Sequence, residues 1–327
     1  MFNYPVVLKH STGFAAYSLT ELYEVSGARP ATSWKLGTAQ FGCARHQETS
    51  HMENSMMNMK VAAAQISSST DWQENLRTTE EYILRAAEAG ARIVVFPEAA
   101  IASFAKPVAE SHQSLDGPFA ERIRTVSREA GIVAVVGMFE PSDDGRSYNT
   151  LLITGRAGEQ DVEARYRKIH LYDAFGNRES ETVKPGDEHV VIDIDGVKVG
   201  FATCYDVRFA DQFHALGLAG AKLVCLPAAW AEGPGKAEQW DLLIRSRAMD
   251  AQAWLVACDQ AWQPPQGAAP LGVGRSAIID PLGVVRARLD SAPDLLVADI
   301  DIAKVDDVRA RVPVLTTLST QNSSPNL

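Results

Sequence analysis

Three polar residues, Glu98, Lys168 and Cys204, each stand at or just beyond the end of an apolar run, and together they could cleave an amide. A thiol has a reference pKa of about 8.5 and is mostly protonated at neutral pH, so a nucleophilic cysteine gains from a neighbouring base. A carboxylate can be that base if burial and a nearby cation tune it. A fixed ammonium, with a backbone N–H beside the cysteine, would hold the oxyanion that forms when sulfur attacks a carbonyl. Each residue alone has a plainer reading, and for Cys204 that is a small buried side chain that only packs.

The elements that must position these residues are legible as periodic patterns. Residues 197–203 form an apolar run that reads as a buried strand, and Cys204 comes where it stops. Residues 211–219 then place Phe213, Leu216 and Ala219 on one helical face, and a second strand over 223–226 ends at Pro227. In such a βαβ unit ligands bind at the carboxyl edge of the strands, and a thiol at the helix start gains thiolate character from the dipole. Upstream, a strand over 61–66 precedes Asp71 and Glu74, spaced as a capping box, and a helix with Trp72, Leu76, Ile83 and Ala87 on one face. A short strand over 93–96 leads to Pro97 and Glu98. A helix over 118–130 and a strand over 133–138 follow. Residues 148–153 and 162–166 read as an antiparallel pair around a turn at 155–158, with Lys168 directly after.

Beyond Cys204 the pattern predicts a helix over 239–250, a strand over 254–258, a loop over 263–274, a hairpin of 275–279 with 284–288, and a last strand over 295–300. No linker interrupts residues 60–310. The expected organisation is one α/β domain over 59–312, a poorly structured N-terminal extension over 1–58, and a polar, mobile tail over 313–327.

Composition bounds the function. The chain has 327 residues, 46% hydrophobic and 22% charged, with a net charge of −10, which disfavours a nucleic-acid or anionic-membrane partner. Cys43, Cys204, Cys225 and Cys258 show no CxxC pair or zinc-ligand spacing, which fits a reducing cytoplasm and a site without metal. The first residues lack the pattern of a secretory leader. The longest apolar tract, 215–231, is broken by Lys222 and Pro227 and reads as core, so no membrane span is expected.

The text FPEAA around Glu98, YRKIHLYD around Lys168 and GFATCYDVRF around Cys204, in that order, resembles the carbon-nitrogen hydrolase (nitrilase) superfamily over about residues 60–301. The resemblance implies a four-layer αββα sandwich, a homodimer or higher homo-oligomer, a small-molecule amide substrate and no cofactor. It makes Glu98 the general base, Lys168 the oxyanion stabiliser and Cys204 the nucleophile. The family's second glutamate falls on Glu179 within RESETVKPG, whose plainer reading is a solvated loop acid. Tyr205 becomes the source of the oxyanion N–H. True nitrilases usually carry Trp after the nucleophile, so Tyr205 points to the amidase-like branches. The Tyr-Asp-x-Arg-Phe text resembles the branch of omega-amidases and deaminated-glutathione amidases, which cleave a terminal carboxamide from a small acid. Ala210, Asp211 and Gln239 stand where the family often has Pro, Glu and His. N-carbamoyl amino acid hydrolysis, nitrile hydrolysis, acyl transfer through the same thioester and a catalytically silent binding subunit remain alternatives. Trp230 reads as pocket wall or core plug. His170 and His214 read as structural, Asp206 and Arg208 as an ion pair holding the loop, and Cys225 and Cys258 as core.

Overall fold

Side chains alternate across each strand, and what the two faces meet defines the architecture. The computed structural model describes residues 6–10, 13–17, 58–266 and 269–322. Two units make up the chain, 1–49 and 50–327. In the first, β1 (Val6–His10) and β2 (Gly13–Tyr17) pair antiparallel, a hairpin that the sequence pattern does not announce. The rest of the expectation for residues 1–58 lies outside the described residues up to Asn58.

The second unit holds two six-stranded mixed sheets. In the first, β16 (Asp294–Asp301), β3 (Asn58–Gln65), β4 (Ile93–Val95), β5 (Val133–Pro141), β6 (Ser147–Ala157) and β7 (Gln160–Arg167) lie in that order. The second runs β15 (Val285–Arg288), β14 (Ala277–Ile279), β11 (Trp254–Asp259), β10 (Leu223–Ala228), β9 (Val197–Phe201) and β8 (Val191–Ile194). β3, β4 and β5 are parallel, as are β9, β10 and β11, and the outer strands pair antiparallel.

Alternation then sorts the core into three. Val61 and Ala63 of β3, Val95 of β4, Val199 and Phe201 of β9, Cys225 of β10, and Val256 and Cys258 of β11 bury against one another between the sheets. The opposite face of the first sheet, with Ala62, Ala64 and Val94, packs under α1 (Trp72–Glu88) and α2 (Pro118–Ala130) through Ile83, Phe119 and Ile123. Val224, Leu226 and Leu255 pack under α3 (Ala210–Leu218) and α4 (Lys236–Ala251) through Phe213, Leu216, Trp240 and Ile244. This is the αββα sandwich.

Several details depart from the sequence pattern. Asp71 caps α1 through Gln73 N at 2.9 Å, but Glu74 accepts from Ser69 Oγ at 2.7 Å, so the capping box does not close. The buried face of α1 is Asn75, Thr79, Tyr82, Ile83 and Ala86, with Trp72, Leu76 and Ala87 only partly covered. On α3 the inward residues are Gln212, Phe213, Leu216 and Gly217, while Ala219 is the C-cap. β10 continues through Pro227 to Ala228 because β9 pairs with it only as far as Cys225, so the missing proline N–H faces no ladder. The predicted turn at 155–158 moves outward: Gly155 lies within β6, and Ala157 pairs with Gln160. The loop expected over 263–274 contains a short hairpin, β12 (Gln263–Gln266) with β13 (Ala269–Leu271). After α5 (Ala303–Arg311), residues assigned to a mobile tail form α6 (Val314–Asn322), with Leu315 buried near Gly217 of α3. Among the described residues no helix is long and apolar enough to cross a membrane.

Candidate active site

Glu98 reaches its position because the chain turns sharply after β4. Phe96 N still donates to Val135 O of β5 at 2.8 Å, and two residues past Pro97 Ala99 enters left-handed space at φ 59°. That turn folds onto β5, and only a glycine lets it do so: a Cβ on Gly137 would lie 2.5 Å from Pro97 O and 2.8 Å from Glu98 Cα. Gln260 Nε2 fastens the turn by donating to Glu98 O at 2.9 Å. The Glu98 side chain is only about 2% exposed. Its Oε1 accepts from Lys168 Nζ at 2.9 Å and Asn149 Nδ2 at 2.7 Å, and its Oε2 accepts from Ala229 N at 3.0 Å.

Lys168 follows β7 and is held in register by its own N–H, which donates to Asn149 O at 2.9 Å. Its ammonium, 2% exposed, donates to Glu98 Oε1 at 2.9 Å and to Glu179 at 3.1 and 2.9 Å. Burial opposes this charge, but Glu179, Glu98 and the neighbouring Cys204 together hold its pKa well above the ordinary lysine value. Glu179 is thus no solvated loop acid. Its Oε2 also accepts from Tyr172 N at 2.6 Å, and its Oε1 from Asn149 Nδ2 at 3.2 Å.

Cys204 opens a short 3₁₀ turn, Cys204–Arg208, with Thr203 as N-cap, and its own backbone is left-handed at φ 47°. A non-glycine residue holds such a conformation only where its surroundings over-determine it. Asp206, fully buried, supplies that restraint. Its Oδ2 accepts from Thr203 N at 2.8 Å and Tyr166 OH at 2.6 Å; its Oδ1 accepts from His170 N at 3.0 Å and lies 2.8 Å from His170 Nδ1. One carboxylate therefore ties the cysteine turn to the segment that carries Lys168. Burial first, then the charge and hydrogen bond of Glu98, raise the Cys204 pKa well above that of an ordinary thiol, while Lys168 and the Ala229 N–H pull it down. The expected helix start is a 3₁₀ turn instead, too short a dipole to offset desolvation beside a carboxylate.

Glu98, Lys168, Glu179, Cys204, Tyr205 and Trp230 all line one cavity of about 330 Å³, with Phe104, Tyr172 and Lys236 among its other walls. The three candidate residues do not come from neighbouring strands. Glu98 and Lys168 follow β4 and β7, which β5 and β6 separate, and Cys204 follows β9 of the other sheet. The Trp230 indole is both wall and plug: it is buried, packs at 5.5 Å on the Trp240 ring, and donates from Nε1 to Lys236 O at 2.9 Å.

Two residues of the site were not singled out in the sequence: Asn149, which lies inside a strand, and Asp259, which carries the same strand-end signal as Glu98 and Cys204. Asn149, on β6, joins both carboxylates; its place could be found only from its register opposite Lys168. Asp259, the last residue of β11, accepts from Trp230 N at 2.7 Å and Val273 N at 2.9 Å, which sets the course of the segment that offers Ala229 N to Glu98. Burial drives its pKa well above the usual carboxylate range against those N–H groups. Arg208 does not pair with Asp206 but donates to Gln239 Oε1 at 2.8 Å. His170 is structural, stacked on Phe209 at 3.6 Å. His214 Nε2 lies 3.7 Å from Asp250, away from the cavity walls. Cys225 and Cys258 are core. Among the described residues no group of three His, Cys, Asp or Glu is placed to hold a metal ion.

Known proteins share both the sequence and this architecture. The carbon-nitrogen hydrolase family model matches residues 60–310. A hydrolase of Mycobacterium tuberculosis is 45% identical over 265 residues, 79% of this chain and 94% of that protein. The deaminated glutathione amidase of Escherichia coli O157:H7 is 36% identical over 261 residues, 79% of this chain and 96% of its own. The crystal structure of Saccharomyces cerevisiae Nit3, a member of branch 10 of the nitrilase superfamily, superposes with a TM-score of 0.70 at 27% identity, covering 79% of this chain and 95% of that one. On the match over residues 60–310 and the shared sandwich, the chain belongs to the carbon-nitrogen hydrolase family.

Proposed function

We propose that this enzyme is an amidase that cleaves a terminal carboxamide from a small acid through a Cys204 thioester, with Glu98, Lys168 and Cys204 as its reacting set. The observation that carries this reading is one cluster: a buried ammonium between two carboxylates, lining the same cavity as the Cys204 thiol. Tyr205 after the nucleophile and the amidase relative favour amides over nitriles.

In the first half-reaction Glu98 takes the Cys204 proton as sulfur bonds to the amide carbon, and the carbonyl pair moves onto oxygen. With the thiol pKa raised by burial and Glu98, base and nucleophile act in one step rather than through a standing thiolate. Lys168 and the Tyr205 N–H hold the oxyanion. When the tetrahedral species collapses, the C–N bond breaks and Glu98 returns its proton to the leaving nitrogen. Water, deprotonated by Glu98, then attacks the thioester, and the acid leaves as sulfur regains its proton. Glu179 and Asn149 hold Lys168 and Glu98 for both steps.

The reading assigns catalysis to residues 59–312 and leaves 1–58 as an extension. It carries a cytoplasmic location and a homodimer or larger assembly, supported by exposed Leu218 on α3 and Leu242 and Met249 on α4, which sedimentation would test. Ammonia release from small carboxamides tests the reaction itself. Cys204→Ala is expected to lose it while keeping its thermal transition, and retained turnover would sink the mechanism.

A further inference from the structure

Lys236, the first residue of α4, lines the cavity that holds Cys204. Its ammonium lies 4.2 Å from the centre of the Trp230 ring and 5.8 Å from that of Tyr172. A second cation stands close by: the Arg208 guanidinium is 4.9 Å from the same Trp230 ring, and its one side-chain hydrogen bond goes to the neutral Gln239. Neither cation has a carboxylate partner among the described residues. Lys168 is the contrast, with two carboxylates within 3.1 Å.

A half-buried cation is costly to keep unless something neutralises it, and aromatic faces answer only part of that cost. Burial, with Arg208 adding to it, draws the Lys236 pKa down against the opposing pull of Cys204 and Asp259, neither of which pairs with it directly. The cavity is therefore polarised. Around the thiol it presents the carboxylates of Glu98 and Glu179, which repel an anion; along α4 it presents Lys236, with Arg208 behind. A substrate with a neutral carboxamide and an anionic far end is oriented by that field.

We propose that Lys236 determines specificity by anchoring a carboxylate borne on the acyl chain of the substrate, so that the carboxamide is delivered to Cys204. This rests on the amidase reading. Arg208 adds its charge from the side of Trp230 without being required to touch the ligand. Lys236 takes no part in bond making.

The test compares succinamate with succinamide, nearly isosteric probes that differ by one negative charge. In the full-length enzyme, Lys236→Met is expected to lower the ratio of kcat/KM for succinamate over succinamide by about ten- to a hundredfold, through KM, and Lys236→Arg to restore most of it. A ratio unchanged in Lys236→Met overturns the proposal. Calorimetric titration of Cys204→Ala, which needs no turnover, separates this from failure of the amidase reading. Succinamate should bind it more tightly than succinamide, and Lys236→Met in that background should erase the difference. No preference for succinamate in the Cys204→Ala protein refutes the anchor even if no amide is ever hydrolysed, while a preference lost on Lys236→Met upholds it whatever the reaction.

Discussion

Asn149 Nδ2 donates to Glu98 Oε1 at 2.7 Å, and the same amide reaches Glu179 Oε1 at 3.2 Å, so a neutral residue spaces two carboxylates about one ammonium. Asn149→Leu removes both bonds while keeping the size. The expected result is a fall in kcat of about 10- to 100-fold with a smaller change in KM, because a displaced base costs the reacting step more than ground-state binding. Asn149→Asp, which puts a third carboxylate into the cluster, should lose both activity and thermal stability. Steady-state kinetics with a thermal melt separates the two variants.

Gly137 lets the Glu98 turn lie against β5. Gly137→Ala drives a methyl to 2.5 Å from Pro97 O, a backbone atom that cannot rotate away. A loss of at least about 1–3 kcal/mol is expected by urea unfolding, and the folded fraction should show reduced kcat because relief of the clash moves Glu98.

Asp206 accepts from Thr203 N, Tyr166 OH and His170 N with no solvent exposure. Asp206→Asn turns half of that acceptor into a donor facing donors. A destabilisation of about 2–4 kcal/mol is expected, with Cys204 alkylation slowed in the protein that still folds. An unchanged urea midpoint would refute the role of Asp206 as the clamp.

The thiols predict an alkaline limit. Burial and then Glu98 raise the Cys204 pKa, burial raises that of Cys225, and burial and then Asp259 raise that of Cys258. Unfolded thiols ionise near about pH 8.5, so the unfolded chain sheds these protons first. Their contribution is complete below that pH and is lost as pH rises towards the folded-state values. The melting midpoint should fall between about pH 8.5 and 10.5. Cys225→Ala should melt lower at neutral pH through its cavity yet show a shallower alkaline slope.

Native iodoacetamide labelling should find Cys204, which lines the cavity, far faster than Cys225 or Cys258, each wholly buried. Peptide mass spectrometry reads the difference. Equal rates at the three thiols would mean that the cavity does not expose Cys204.

Glu98 and Cys204 stood out as candidates because each follows an apolar strand pattern with a costly polar group, and such interruptions have few structural excuses, whereas Lys168 follows the polar strand β7 and was singled out by its place after the hairpin. Most of the strands of the two sheets and α1 to α4 were legible because periods of 2 and 3.6 belong to local geometry, whereas β8 and the short hairpins β1–β2 and β12–β13 were not. The tail failed as a prediction because the polar look of residues 314–322 hides one buried Leu315 whose partner lies about a hundred residues away.

Taken by itself, the sequence determined the order of the central strands and of α1 to α4, and it singled out Glu98, Lys168 and Cys204 as candidates at the ends of strands. Tertiary structure alone decided that Glu98 and Lys168 come from one sheet and Cys204 from the other, that Asn149 and Asp206 hold them, and that burial and Glu98 push the Cys204 thiol pKa up. The reason is physical. Strand formation follows from neighbours in the chain, whereas desolvation and hydrogen bonding depend on groups that only the packed sandwich brings within 3 Å of one another.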